Sequence, residues 1–198
     1  MDAIYPVILA VPDKERRLSG RDKVVNLSRQ ARYALEISAQ KSCIRLGDLL
    51  KDEKGVPRPF NGNYWSLSHK SQYVGGVVAS ARIGIDLEKI RSVAKPVIKK
   101  IADDKERSLA DIDPTTLFFR YWTSKESVLK ASGAGVRGLS ECRIEQVIDD
   151  NNLVINYQGR NWALEHFFFN GHIASIVKNS LYVEWTLLNA VTTQVDRL

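Results

Sequence analysis

Asp86 and Glu88 stand two apart in "RIGIDLEKIR", residues 82–91, among Ile83, Ile85 and Leu87. Apolar residues at every second position are the period of a half-buried strand, so both acids project from the face opposite the isoleucines. Two neighbouring carboxylates that stay ionised need a compensating charge. A hard divalent cation such as Mg²⁺ can supply it through oxygen ligands, and so can solvent with Lys89 and Arg91 on an exposed edge strand. The second constellation is "YWTSKESVLKASGAG", where Glu126 and Lys130 are four apart and share a helix face with Thr123 and Phe119. Such a pair is either a surface ion pair of about 0.3–0.5 kcal/mol or an acid that completes three carboxylates around one metal, with a lysine one turn on to reach a phosphate oxygen. The aromatic residues Phe118, Phe119, Tyr121 and Trp122 mark the helix as buried on one side. The third is "WSLSHK". Ser68 and His69 are adjacent on a strand and point to opposite faces, and no G-x-S-x-G turn surrounds the serine, so covalent catalysis is not expected. His69 fits either a phosphate donor or a structural histidine, Lys54 is a further candidate phosphate contact, and His166 and His172 read as structural.

The elements that must position these groups follow from pattern. "YPVILAV" reads as a first strand, and Val24, Leu27, Ala31, Ala34, Leu35 and Ser38 follow helical spacing between Arg21 and Lys41. "KDEKGVPRPFNGN" is a loop, and "YWSLSHK", "QYVGGVVAS" and "RIGIDLEKI" read as three strands. "PVIKKIADDKERSLADI" reads as a helix beyond Pro96. Asp113 then Pro114 starts another, which should run to Ser132 and stop at Gly133. Cys142 to Leu188 is expected to be β-rich, with hairpin turns at "DDNN" and at Asn170–Gly171.

Trp65-x-Leu67-x-His69 and Trp162-x-Leu164-x-His166 are 97 residues apart, and the strand pairs they open end in Ala79-Ser80 and Ala174-Ser175. This predicts two halves of related topology, 1–95 and 96–198, with a site at their junction. A chain of 198 residues, 44% hydrophobic and 26% charged, can bury a sizeable core. No apolar run approaches a bilayer span, and "IYPVILAV" lacks a basic flank, so neither a membrane segment nor a secretory signal is expected. Cys43 and Cys142 match no metal or redox spacing, which fits reduced thiols in the cytoplasm. The net charge of +6 suits an anionic partner. Arg16, Arg17, Arg21, Arg29 and Arg32 fall within 17 positions.

In order, "GIDLE" at 84–88 and "WTSKESVLK" at 122–130, with 34 residues from Glu88 to Trp122, resemble the 4′-phosphopantetheinyl transferase superfamily. "KGVP" and "SLSHK" upstream resemble its larger, surfactin-synthetase-activating type, a pseudo-dimer in one chain. The resemblance implies an α+β fold of two pseudo-symmetric halves, each an antiparallel sheet packed with a long helix. It implies Mg²⁺ held by Asp86, Glu88 and Glu126 on the pyrophosphate of coenzyme A. Glu126 and Lys130 would be catalytic, and Lys54, His69 and Lys125 would contact coenzyme A. Lys70 stands where the family often has serine, and Gly55 where proline is common.

The activity so implied is of the holo-[acyl-carrier-protein] synthase kind. It moves the phosphopantetheine arm of coenzyme A onto a serine of an apo carrier protein and releases 3′,5′-ADP. Carrier proteins of this system are generally acidic, which suits the +6 chain, and a monomer would suffice. A basic nucleic-acid-binding domain would leave the three acids without a role, so no nucleic acid is expected as partner. A Mg²⁺-dependent phosphohydrolase would use the acids without a carrier.

Overall fold

The computed structural model describes residues 2–190, except for the side chain of Val136. The first part of the chain forms β1 (Ala3–Ile4), β2 (Val7–Ala10), α1 (Asp13–Arg16), α2 (Gly20–Lys41), β3 (Tyr64–His69), β4 (Tyr73–Ala79) and β5 (Ile85–Lys89). After it come α3 (Lys95–Ile101), α4 (Asp104–Arg107), α5 (Pro114–Ser132) and a 3₁₀ turn at Val136–Glu141. The remainder is β6 (Arg143–Val147), β7 (Asn152–Tyr157), β8 (Arg160–Phe169), β9 (His172–Val177), β10 (Tyr182–Val183) and β11 (Thr186–Leu188).

Two sheets carry the fold: four strands in the order β11-β2-β4-β3 and five in the order β5-β9-β8-β7-β6. Each contains the same unit. In β2-α2-β3-β4 the first strand pairs antiparallel with the last, and the last with the third. In β5-α5-β8-β9 the pairing is the same, with β6 and β7 inserted after the helix. The α+β architecture of two like halves, each an antiparallel sheet with a long helix, is therefore present. The halves are not contiguous in sequence, because pairing, not position, assigns a strand. β5 lies within residues 1–95 yet hydrogen-bonds to β9, and β11 lies near the C-terminus yet runs parallel to β2.

The repeat of Trp-x-Leu-x-His falls on β3 and β8, but its closing Ala-Ser pairs are not equivalent. Ala79 pairs with Tyr64, ahead of its tryptophan, whereas Ala174 pairs with Phe167, beyond its own. The second hairpin is the longer one. Its tight turn at Asn170 and Gly171 has φ of 44° and 69°, the left-handed pair that an Asn-Gly hairpin turn requires.

Alternation builds the layers. On β4, Gly76 faces α2, and a Cβ there would lie 2.5 Å from the Leu35 nitrogen; Gly75 faces the other way, onto Leu87 and Ile85. Val7 and Leu9 pack with Leu27, Ala31 and Ala34 of α2. Ile8 on the opposite face meets Leu87, Phe169 and Ala174. Ile85 and Ile176 join Ile4 and Val77 in the same inter-sheet core. The largest core lies between α5 and the five-stranded sheet. Ser38, at a core-facing helical position, is accounted for by its Oγ, which accepts a hydrogen bond from the Val78 N–H. Val24, expected on the same face, is exposed.

Helix α5 begins and ends where the sequence puts it. Asp113 accepts from the N–H groups of Thr115 and Thr116, and Gly133 closes the helix at φ 77°. The single helix expected beyond Pro96 is instead two short ones. Asp103 interrupts it with a capping box, accepting from Glu106 N–H while the Glu106 carboxylate accepts from Asp103 N–H. Among the described residues no helix is long and apolar enough to cross a membrane.

Candidate active site

Strand β5 is the frame of the site. Gly84, Asp86 and Glu88 face α5, while Ile85 and Leu87 face the inter-sheet core. At Gly84 a Cβ would lie 1.9 Å from the Ser127 carbonyl oxygen, so only glycine lets strand and helix approach this closely. The approach brings the acids beside the helix stripe Trp122, Glu126 and Lys130, spaced four apart. The other wall comes from β3. The N–H groups of Ile85 and Leu87, on the edge of β5 away from β9, donate to Ser66 Oγ at 3.1 Å and Ser68 Oγ at 3.2 Å. Two serines at strand period thus satisfy buried donors that no neighbouring strand reaches.

A cleft of about 300 Å³ opens at this seam, lined by Ser68, His69, Lys70, Asp86, Glu88 and Trp122, with Glu126 and Lys130. Asp86 is 6% exposed. Its Oδ1 accepts from Lys130 Nζ at 2.8 Å and Ser68 Oγ at 2.9 Å, while its Oδ2 is buried with no partner among the described residues. Lys130 Nζ also donates to the carbonyls of Ile85 at 2.9 Å and Leu67 at 3.3 Å, fastening the two halves together. Glu88 Oε1 lies 2.7 Å from Lys70 Nζ and accepts from Trp122 Nε1 at 3.2 Å. Glu126 has no hydrogen bond or ion pair among the described residues; burial and then the Asp86 charge push its carboxyl above the usual range, against the pull of Lys130. His69, at the rim, is held below the usual histidine range by desolvation, then by Lys130 and Lys70. Lys54 lines an adjoining hollow of about 210 Å³ whose wall includes Glu126 and Lys130.

Asp86, Glu88, Glu126, Lys130 and His69 therefore share one cleft, and Lys54 borders it. Lys125 does not. It lies about 100° round the helix from Glu126, where its Nζ is buried against Glu106 Oε1 at 2.8 Å and the Ile101 carbonyl at 2.6 Å. Its role as a coenzyme A contact gives way to that of a structural ion pair. Three participants were not legible as such. Trp122 had a signal in its spacing from Glu126, whereas Ser68 and Lys70 meet the acids only because β3 lies across β5.

Among the described residues no three carboxylate, histidine or cysteine groups close into a metal cluster. The donor set nevertheless fits an oxygen-seeking divalent cation. Among the described residues Asp86 Oδ2 is an orphaned acceptor, the Glu126 carboxyl is uncommitted, and Glu88 is held by Lys70 and Trp122 alone.

Fold and cleft define an α+β protein of two like halves whose seam gathers acids and lysines. Residues 82–177, the stretch from just before β5 to the end of β9, match the family model of the 4′-phosphopantetheinyl transferase superfamily. The 4′-phosphopantetheinyl transferase HetI of Nostoc sp. is 40% identical over 91 residues, 42% of this chain and 38% of that protein. The 4′-phosphopantetheinyl transferase gsp of Aneurinibacillus migulanus is 29% identical over 90 residues, 43% and 38% of the two chains. The 4′-phosphopantetheinyl transferase psf-1 of Bacillus pumilus is 32% identical over 92 residues, 44% and 40%. The matches thus span well under half of each relative.

Proposed function

We propose that the protein is a 4′-phosphopantetheinyl transferase of the holo-[acyl-carrier-protein] synthase kind, using coenzyme A and an apo carrier protein. The observation that carries this reading is the convergence of Asp86, Glu88, Glu126 and Lys130 on one cleft inside the family-matched stretch. The serine oxygen of the carrier forms a bond to the pantetheine-side phosphorus of coenzyme A. The pyrophosphate P–O bond breaks, and 3′,5′-ADP leaves. Such transfer depends mainly on positioning and on neutralising charge. Lys130 is held rigidly by three acceptors and presents fixed positive charge to the reacting phosphate. His69 and Lys54 border the same space and offer donors to the remaining phosphate oxygens. Glu126, whose carboxyl is pushed up by burial and which has no partner among the described residues, or a water that it holds, is the acceptor for the serine proton.

Asp86 and Glu126, with Glu88, are the residues that would hold Mg²⁺. When bound, the cation offsets the pyrophosphate charge. An apolar hollow of about 580 Å³ shares Glu88 and Trp122 with the cleft and gives a protein acceptor a side from which to approach. Both walls of the cleft come from one chain, which supports a monomeric enzyme. The net charge of +6 supports an acidic carrier. The test is incubation with coenzyme A, Mg²⁺ and several apo carrier proteins, followed by intact mass. Addition of the phosphopantetheine mass to a carrier is expected. Hydrolysis of coenzyme A with no carrier modified would replace the transferase with a phosphohydrolase.

A further inference from the structure

The cleft holds three carboxyl groups and two ammonium groups, and the two lysines are bound unequally. Lys130 is fixed by Asp86 and by two backbone carbonyls, and its removal would leave those carbonyls without their donor. Lys70 sits at the β3–β4 turn, its backbone N–H donating to the Tyr73 carbonyl. Its ammonium has one contact among the described residues, Glu88 at 2.7 Å. The lysine side chain is 41% exposed and the glutamate 15%. A flexible, half-open ammonium with a single partner yields at lower cost than one with three. Glu88 itself stays in place without Lys70, because Trp122 Nε1 donates to the same oxygen.

Resting on the transferase reading of the cleft, we propose that Lys70 is a built-in counter-ion of Glu88 that a divalent cation must displace. Once displaced, it adds positive charge for the anionic co-substrate. The cation and the ammonium compete for one carboxylate, so Lys70 weakens binding of the metal alone. The freed ammonium, beside His69, then strengthens binding of a phosphate ligand to the metal-loaded protein. Lys70 in this way couples the two affinities, lowering the one and raising the other, where a serine at the same position would leave them uncoupled.

The experiment is a titration of the full chain with Mn²⁺ alone, free Mn²⁺ being read by electron paramagnetic resonance. Lys70→Ala is expected to bind Mn²⁺ about threefold to tenfold more tightly than the unmodified protein, the scale of a partly exposed ion pair. Lys70→Arg should stay within about twofold, since the pair is retained. Lys51→Ala removes an equal charge near His69 without touching Glu88, and should also stay within about twofold. With Mn²⁺ saturating, inorganic pyrophosphate should bind Lys70→Ala about threefold to tenfold more weakly. Unchanged or weaker Mn²⁺ binding by Lys70→Ala overturns the assignment, as does an equal gain in Lys51→Ala or undiminished pyrophosphate binding. Absence of Mn²⁺ binding in every protein overturns it too and removes the metal from the proposed reaction. Failure of carrier modification, with the Lys70→Ala shifts intact, would instead sink the transferase and leave the counter-ion standing.

Discussion

The carboxylates differ in environment, and their variants should differ accordingly. Asp86 is nearly buried and shares Oδ1 between Lys130 and Ser68. Asp86→Asn keeps the side-chain shape and an acceptor for Ser68 but removes the charge that holds Lys130 and would hold a cation. The proposed phosphopantetheine transfer should fall by about 100-fold or more, the scale of losing a preorganised charge, with an unchanged circular dichroism spectrum; retained transfer would exclude Asp86 from the site. Glu126 behaves oppositely in stability. Its carboxyl is raised first by burial and then by Asp86, so ionisation is less favourable in the folded chain than in the unfolded one. The resulting stabilisation is complete below the unfolded pKa and is lost as pH rises through the raised folded value. Glu126→Gln lacks that loss. It should melt above the unmodified protein at neutral pH, with the gap closing toward acid, and transfer should be lost throughout. Two thermal melts, at neutral pH and near pH 4, decide this; a gap that widens toward acid contradicts the assigned shift.

Elements hold these residues through contacts that single substitutions can reach. Gly84→Ala would place a methyl 1.9 Å from the Ser127 carbonyl and 2.8 Å from the Ala131 nitrogen, both backbone atoms that cannot swing aside. Separating β5 from α5 should cost about 3 kcal/mol or more in urea unfolding. Transfer should fall in parallel, since Asp86 and Glu126 depend on that approach. Lys125 serves the opposite side of the same helix. Its pair with Glu106, at 3% and 5% exposure, ties α5 to α4, and Glu106 also accepts from the Ile144 N–H of β6. Lys125→Ala strands a buried carboxylate and should cost about 3–5 kcal/mol. In the proposed reaction, whatever folds should keep an unchanged KM for coenzyme A. A raised KM with unchanged stability would return Lys125 to the cleft. Sequence spacing put Glu126 and Lys130 on one face, and the structure agrees. It could not say which face Lys125 would find, because that depended on α3 and α4 arriving there.

At the scale of the whole molecule the two halves are interlocked. β11 pads the first sheet beside β2, β10 pairs with β1, and the serines of β3 satisfy the edge of β5. Truncation after Leu181 removes β10 and β11 and leaves β2 with an open edge. A drop in melting temperature of about 10 °C or more is expected, corresponding to roughly 3 kcal/mol for a chain of this size. A truncated protein that melts unchanged would show the interlock to be dispensable.

Local pattern by itself determined the alternation of β5, the capped span of α5, the Asn-Gly turn and the common face of Glu126 and Lys130. Each rests on backbone geometry and on residues a few positions apart. Only the tertiary structure decided that β5 belongs to the second sheet, since a strand's partner is chosen by edge complementarity across the chain. It alone brought Lys70 to Glu88 and Ser68 to Asp86, contacts between residues 18 apart that no periodicity encodes. It also turned Lys125 inward, because a helix buried on two sides gives adjacent residues different surroundings.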